Sequence, residues 1–314
     1  MRGFAVAAIV IALTSGSAQQ PRSLVGDRVM ALTRETQWTL VSSVPIRFRT
    51  FHPQGMVKIG DTIFVSSVEV TVPTKRFPAP VNGVDRDAGE GAGHLFKMDT
   101  SGNLLADVRL GEGSIYHPGG IDYDGTSIWV AVAEYRPNSR AIIYRVNPQT
   151  MRATETFRVD DHIGAVAYDT DENILHGASW GSRRFYQWKV QGGSVRGTPQ
   201  TPRPRQNASH YIDYQDCKYA GNHRMVCTGV TELRVTQNGT PFRLGGMELV
   251  DLHDGRPLHQ APVLLWTATG LDMTHNPVWV EPAATGIRAY FMPEDDTSTL
   301  YIYETESAAS RGFR

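Results

Sequence analysis

The sequence predicts an all-β protein, a five-bladed β-propeller whose ring is closed by an N-terminal strand at residues 38–48 that completes the last blade. Three observations support this fold class. A hairpin phrase recurs along the chain, each copy is followed by further apolar strands, and a spare strand, "WTLVSSVPIRF", precedes the first copy. No long segment shows helical periodicity.

The recurring phrase begins at a histidine, and each copy contains an apolar strand, a Gly/Asp/Asn turn and a second apolar strand. The five copies begin at His52, His117, His162, His210 and His275. Two more strands follow each of the first four hairpins, which gives units of about 45 to 65 residues. The last unit has only three strands, and the strand at 38–48 supplies the fourth. A β-sandwich is the alternative architecture, but it does not require a repeated four-strand unit.

The two ends of the sequence predict a cleaved signal peptide, a short lead-in segment and a short tail. Residues 1–18 resemble a cleaved signal peptide, with Arg2, an apolar stretch and the small residues Gly16 and Ala18. An N-terminal membrane anchor is the alternative. We expect a lead-in segment at 19–37 with a small helix, one propeller domain at 38–307, and a tail at 308–314. The protein is then secreted, or lies in the periplasm or the lumen of a secretory pathway.

Charge and composition limit the partners. The formal net charge is −1 and hydrophobic residues make up 40%, which suits a globular protein with a sizeable core. This balance gives no electrostatic reason to expect nucleic acid or an anionic membrane surface. We therefore expect a small-molecule substrate, no nucleic acid, no membrane span after signal cleavage, and a monomer.

Two cysteines and two sequons fit a secretory route. Cys217 and Cys227 flank the turn "AGNH", and a hairpin centred near Asn222 places them opposite each other, which predicts a disulfide. Two buried free thiols are the alternative. Asn207 and Asn238 begin N-x-S/T sequons, which predict glycosylation if the pathway is eukaryotic.

The five histidines predict a metal centre. The first strand of each propeller blade lines the central axis, so residues that begin these strands meet at one face. Neutral imidazole is a common ligand of transition metals. We expect a divalent ion (Zn, Fe, Mn or Cu) held by His52, His117, His162, His210 and His275. The alternative is that these histidines hydrogen-bond to neighbouring blades as structural pins.

Further candidates lie where the second strands return to the same face. Glu69 and Glu134 each follow their histidine by 17 residues. We expect these carboxylates to orient ligating histidines or to act as general base or acid; ordinary loop-facing carboxylates are the alternative. The predicted substrate-binding residues are Tyr135, Arg136, Trp180 and Glu294.

The repeated hairpins and the phrase from Phe51 to Gly55 resemble secreted five-bladed propellers, among which plant-type glutaminyl cyclases are the enzymes. That resemblance implies the architecture. The histidine ring departs from the pattern of that family. It is similar instead to the four-histidine iron centre of carotenoid oxygenases and to the metal centres of propeller polysaccharide lyases, which implies a metal-dependent activity.

The sequence therefore predicts a secreted metal-dependent enzyme, a lyase, cyclase, isomerase or hydrolase, whose ion acts as a Lewis acid on a small molecule. An iron or copper oxidoreductase that activates O2 is one alternative. A non-catalytic ligand-binding propeller is the other.

Overall fold

The computed structural model describes residues 22–192, 194–195, 204–234, 236 and 239–306. The predicted signal peptide at 1–18 and tail at 308–314 lie outside these residues. The chain begins here with a short helix, α1 (Arg22–Val29), and the strand β1 (Trp38–Pro45). Nearly all remaining regular structure is β-strand, which confirms the all-β prediction. None of the helical segments in these ranges has the length and apolar character needed to cross a membrane.

The first half of the chain forms two antiparallel units of four strands, units one and two. Unit one is a sheet of its own, whereas unit two belongs to a nine-stranded sheet that continues into unit three. Unit one consists of β2 (His52–Ile59), β3 (Thr62–Val72), β6 (Glu90–Asp99) and β7 (Leu104–Leu110), with a small hairpin of β4 (Arg76–Val81) and β5 (Val84–Arg86) inserted after β3. Unit two consists of β8 (Ile115–Tyr123), β9 (Ile128–Glu134), β10 (Ala141–Val146) and β11 (Ala153–Val159). Residues 71–92 are rich in Pro, Gly and charge, which predicts a long loop, but the β4–β5 hairpin forms within this segment.

The second half continues the same pattern. Unit three consists of β12 (Ile163–Asp169), β13 (Ile174–Ser179), β14 (Arg184–Gln191) and the short β15 (Ser194–Val195), and β16 (Arg205–Gln206) also pairs with β14. Unit four consists of β17 (Asp213–Tyr219), β18 (Arg224–Leu233), β19 (Phe242–Asp251) and β20 (Pro257–Val263). Unit five consists of β21 (Val278–Pro282), β22 (Ile287–Phe291) and β23 (Thr299–Thr305). β1 pairs with β23, so the last sheet combines strands from both ends of the chain.

Apolar packing links the units in a propeller-like arrangement. Separate clusters of buried side chains join units two and three, units three and four, and units four and five. One further cluster joins unit one both to unit two and to unit five. Among the first strands, β8 and β17 contact each other, β2 and β12 each contact both of these, and β2 also contacts β21. The first strands therefore lie innermost.

The inner strands share two features: glycine where two strands approach closely, and a β-bulge near the start of the strand. A methyl group on Gly119 would lie 2.0 Å from the carbonyl oxygen of Gly164. Each of β2, β8, β12 and β17 contains a bulge near its start. Directly after the bulge of β17, buried Asp216 accepts hydrogen bonds from the backbone N–H groups of Met56 and Ile121 and from Lys218. This ion pair connects three inner strands.

The predicted disulfide is confirmed. Cys217 and Cys227 are direct cross-strand neighbours on β17 and β18 and are joined by a bond. The turn between these strands contains Asn222 and His223, both with positive φ. A disulfide fits a protein of an oxidising compartment such as the periplasm or the extracellular space.

Candidate functional site

A cavity of about 920 Å³ lies at the end of the molecule where the inner strands begin. Three of the five predicted histidines line it, His52, His117 and His162. The remaining polar and aromatic lining includes Arg49, Phe51, Gln54, Glu69, Arg86, Tyr135, Trp180, Asp213, Tyr214, Gln215 and Asp295.

The strand bulges show which residues are equivalent in the first four units. Gln54, Gly164 and Gln215 are the extra residues in β2, β12 and β17, and Gly119 stands at this position in β8, since Gly120 pairs with Ala165. His52, His117 and His162 each stand two residues before the bulge. In unit four that position is Asp213. The equivalent set is therefore three imidazoles and one carboxylate.

His210 and His275 do not belong to this set, and neither is among the residues that line the cavity. Each precedes its inner strand by three residues rather than opening it. His210 is exposed, and its Nδ1 lies 2.6 Å from Nη1 of Arg183. His275 is partly buried, and its Nδ1 has no hydrogen-bond partner in the described part of the chain.

His52 forms a dyad with a carboxylate from unit five. Its Nδ1 lies 2.8 Å from Oδ1 of Asp295, which also accepts a hydrogen bond of 2.9 Å from Nδ2 of Asn276. Burial opposes ionisation of Asp295, but the hydrogen bonds from His52 and Asn276 outweigh it and lower its pKa. An ionised Asp295 holds the proton on Nδ1 of His52 and leaves Nε2 as a base.

His117 and His162 are neutral imidazoles in the wall of the cavity. Burial lowers the pKa of His162 to about 4 and places that of His117 well below its ordinary value. Nδ1 of His162 donates to the backbone oxygen of Glu134 at 2.8 Å, whereas Nδ1 of His117 is buried without a partner among the described residues. Their ring centroids are 5.8 Å apart.

Aromatic rings form one side of the cavity. Tyr135 stacks on His117 with 4.1 Å between ring centroids, and Trp180 meets His162 edge-on at 4.9 Å. The guanidinium of Arg86, at the end of β5, lies 5.2 Å from the ring centroid of Trp180. This wall offers planar surfaces and one cation to a bound molecule.

The two glutamates of identical spacing lie in different surroundings. Glu69 lines the cavity, with Oε2 3.7 Å from Nε2 of His94. Glu134 does not, because its buried carboxylate accepts hydrogen bonds from Ser114, Arg136 and Arg140. Burial alone would raise the pKa of Glu134, but hydrogen bonds from Arg140, Ser114 and Arg136 lower it. Glu134 positions His162 through its backbone oxygen rather than through its carboxylate.

Two other predicted binding residues, Arg136 and Glu294, form an ion pair or hydrogen bonds with neighbouring residues. Arg136 pairs with Glu134 and is absent from the cavity lining. Glu294 accepts hydrogen bonds from Tyr301 and from the backbone N–H of Thr299, and its neighbour Asp295 reaches the cavity instead.

The two sequons are placed differently. Asn207 is buried, with 6% of its surface exposed, and its Nδ2 donates to the backbone oxygen of Ser182 at 2.9 Å. A glycan would need this same nitrogen, so the folded geometry disfavours glycosylation at Asn207. Asn238 lies outside the described residues.

The fit of the histidines to a metal ion is incomplete. Zinc binds imidazole nitrogens at about 2.0–2.1 Å, so two ligand atoms on one ion lie within about 4.2 Å of each other. Among the described residues, no three of the five histidines bring ligand atoms within 4.8 Å of one another. The metal centre therefore stays a prediction.

Asp213 and Arg86 are cavity residues that the sequence does not single out, whereas the sequence places Asp295 with Glu294 near the end of the fifth hairpin as a carboxylate that could accept an N–H from a histidine. Asp213 has a signal in hindsight, because an apolar strand with a polar bulge begins at it in the phrase "DYQDCKY". Arg86 comes from the inserted β4–β5 hairpin, and no repeat spacing points to it.

The comparisons with known proteins give a family and two remote likenesses of structure. A model described as "Family of unknown function (DUF6454)" matches residues 9–308. No curated protein matches the chain in sequence. The chain is similar to a luciferin-regenerating enzyme (10% identity, TM-score 0.48, 88% of this chain and 97% of that one). It is also similar to the PQQ-bound aldose sugar dehydrogenase of Streptomyces coelicolor (12% identity, TM-score 0.42, 88% and 100%). At these values neither likeness carries an argument about function.

Proposed function

We propose that this chain, which belongs to the DUF6454 family, is an enzyme that transfers protons on a small molecule bound in the cavity. We infer further that the five units form a closed five-bladed propeller, and that the protein is secreted and acts as a monomer. The packing of unit one against unit five and the β1–β23 pairing support the closed ring. The disulfide supports an oxidising compartment.

The observation that carries the proposed reaction is the His52–Asp295 dyad at the edge of the cavity. Asp295 fixes the tautomer of His52, and Asn276 fixes the position of Asp295. An imidazole oriented in this way takes a proton at Nε2 and returns it, with the carboxylate stabilising the imidazolium. His52 is the proposed catalytic residue, and Asp295 and Asn276 are positioning residues.

The rest of the cavity suits binding of a planar group. Tyr135 and Trp180 supply ring faces, and Arg86 supplies a cation near Trp180. Because His117 and His162 are neutral, each offers a hydrogen-bond acceptor or donor without adding charge. Proton transfer on such a substrate covers the lyase, cyclase, isomerase and hydrolase chemistry expected from the sequence.

The test compares the protein with its His52→Gln and Asp295→Asn variants on a complex mixture of metabolites, read by untargeted mass spectrometry. We expect the unaltered protein to deplete at least one compound and form a product. Loss of the general base lowers the rate by about 10²–10⁴-fold. His210→Gln is the matched control, because this histidine lies at the same end of the molecule but outside the cavity.

Two outcomes would contradict the proposal. A compound that binds in the cavity and is never converted would identify a binding protein, the alternative expected from the sequence. Turnover that is unchanged in His52→Gln would place the chemistry elsewhere.

A divalent transition-metal ion in the cavity is the second candidate, and one observation favours it. Nδ1 of His52 and Nδ1 of His162 each meet an oxygen acceptor, the arrangement by which proteins present Nε2 to a metal. Such an ion would supply a Lewis acid, or with iron or copper a site for O2 chemistry. Elemental analysis of protein purified without added metal tests this. Less than about half an equivalent, also after reconstitution, would rule it out.

A further inference from the structure

We propose that a second site, at the opposite end of the inner strands, binds a divalent transition-metal ion of the zinc class. We call it the turn cluster. It consists of Asp169, Asp171, Glu172, His223 and His253, and none of these residues lines the cavity.

Three turns from two units meet at the turn cluster. Asp169 is the last residue of β12, and Glu172 lies in the following turn. His223 lies in the turn between β17 and β18, and His253 follows β19. β12 begins beside His162 in the cavity wall and spans seven residues, about 20 Å. The turn cluster and the cavity are therefore separate sites.

The ligand atoms lie close enough for one ion. Nδ1 of His223 is 2.9 Å from Oδ2 of Asp169 and 3.9 Å from Oε1 of Glu172, and the rings of His223 and His253 are 4.5 Å apart between centroids. In each of two trios, Asp169–Asp171–His223 and Glu172–His223–His253, the ligand atoms all lie within 4.8 Å of one another. Tetrahedral zinc separates its ligand atoms by about 3.4 Å, so small side-chain rotations complete the site.

The donor set and its charge suit a cation. Two imidazoles with carboxylates are ligands of zinc and of neighbouring transition metals, whereas calcium and magnesium prefer oxygen alone. Three carboxylates face the site. Arg205 also lies near and donates to the backbone oxygen of His253.

Hydrogen bonds hold the carboxylates in place. Asp169 is 1% exposed, and its Oδ1 accepts the backbone N–H groups of Asp171 and Glu172. Oδ2 of Asp171 accepts the hydroxyl of Tyr219 at 2.6 Å. Outer partners of this kind orient metal ligands and reduce the conformational entropy lost on binding.

A third histidine gives an independent observation. Nε2 of His176 is buried and has no hydrogen-bond partner among the described residues. The register pairs Ala167 with His176 and Asp169 with Ile174, so His176 and Asp169 lie on the same face of the sheet. A buried nitrogen without a partner is rare, and a water bound to a nearby ion would satisfy it.

The test uses chelator-treated full-length protein titrated with Zn²⁺ by calorimetry, and with Co²⁺ followed by visible absorption. We expect one equivalent at the turn cluster and a rise in melting temperature. His253→Gln and Glu172→Gln replace exposed side chains, so both variants should fold. Each is expected to weaken metal binding about 10- to 100-fold.

The control and the contradicting results follow from the separation of the two sites. His210→Gln changes an exposed histidine at the other end and should leave affinity unchanged. His117→Gln removes any ion in the cavity but not one in the turn cluster, so failure of one site is distinguishable from failure of the other. Absence of binding, or affinity unaffected by His253→Gln and Glu172→Gln, would overturn the proposal and leave a plain Asp169–His223 ion pair.

Discussion

The two ends of the inner strands contain histidines whose pKa values move in opposite directions. At the cavity end, burial lowers the pKa of His117 and His162, and in the ranges that the structure describes neither imidazole has a carboxylate as hydrogen-bond partner. At the turn end, the hydrogen bond to Asp169 raises the pKa of His223. Depth and partner, not residue type, thus decide in which direction the pKa of a histidine moves.

The polar groups along the inner strands also differ in their partners. At the cavity end, some buried polar atoms, such as Nδ1 of His117, have no hydrogen-bond partner within the described part of the chain. The turn end has ion pairs that connect units three and four. Between the two ends lies the ion pair of Asp216 and Lys218, in which both carboxylate oxygens and the ammonium group form further hydrogen bonds to the backbone. The following predictions test this division, beginning with the largest effect.

The largest loss of stability is expected in the middle of the strands, where the two ends are joined. Lys218→Met leaves the buried carboxylate of Asp216 without its cation, which costs about 3–5 kcal/mol of unfolding free energy. Urea unfolding measures the loss. Lys189→Met, at an exposed lysine of β14, is the control and should change stability by less than about 0.5 kcal/mol. Equal losses in the two variants would show that the ion pair is not a structural connection.

The next prediction concerns the cavity end, where His162 makes the free energy of unfolding depend on pH. His162 has a folded pKa of about 4, lowered by burial from 6.5, so the unfolded chain binds a proton that the folded chain excludes. The contribution of neutral His162 to the free energy of unfolding is fully present above pH 6.5. As the pH falls towards 4, this free energy decreases by up to about 3 kcal/mol. His162→Gln should flatten this part of the stability–pH curve. An unchanged slope would contradict a neutral buried His162.

At the turn end, His223 gives the free energy of unfolding a pH dependence of the opposite sign. Its folded pKa is raised by Asp169, so its contribution is present at low pH and is lost as pH rises through the folded pKa. NMR titration of the two ring signals tests the contrast directly. His162 should titrate well below His223, and similar values would remove the distinction between the two ends.

A smaller loss of stability, on removal of the disulfide, is expected to affect both ends of the inner strands. The disulfide joins β17 and β18, which run from Asp213 in the cavity to His223 in the turn cluster. Replacing Cys217 and Cys227 by alanine should cost about 2–3 kcal/mol, because the closed loop is short. Hydrogen exchange should then increase at both ends of this hairpin. Exchange that increases at one end alone would show that the hairpin is not a single cooperative unit.

The smallest effect is expected for His253. In metal-free protein, His253→Gln should change stability by less than about 0.5 kcal/mol, since the side chain is exposed. Thermal unfolding with and without Zn²⁺ measures this. A large loss without metal would make His253 a structural residue rather than a ligand.

Most strands and the disulfide could be predicted because their signals are local. Alternating apolar residues and Gly/Asn/Asp turns identify the hairpins, and a symmetric hairpin about Asn222 puts Cys217 opposite Cys227. Three of the five histidines, His52, His117 and His162, were placed at one cavity by repeat spacing alone.

The remaining site residues were not predictable, for physical reasons. A bulge adds one residue without changing the apolar pattern, so the fourth unit was aligned on His210 and not on Asp213. Identical spacing did not give identical roles to Glu69 and Glu134, because local packing decides where a carboxylate turns. The sequence places Asp295 near this end as a possible histidine partner but does not pair it with His52, because the two residues are 243 positions apart in the chain.

The pairing of β1 with β23 has a consequence for synthesis. The first strand of the chain acquires its hydrogen-bonding neighbour only after residues 299–305 have been made, so β1 must wait while nearly the whole protein is translated. During that wait, an unpaired strand edge is open to other chains. A truncation that removes β23 would leave two such edges in every molecule, on β1 and on β22, and should yield aggregates rather than a smaller folded protein.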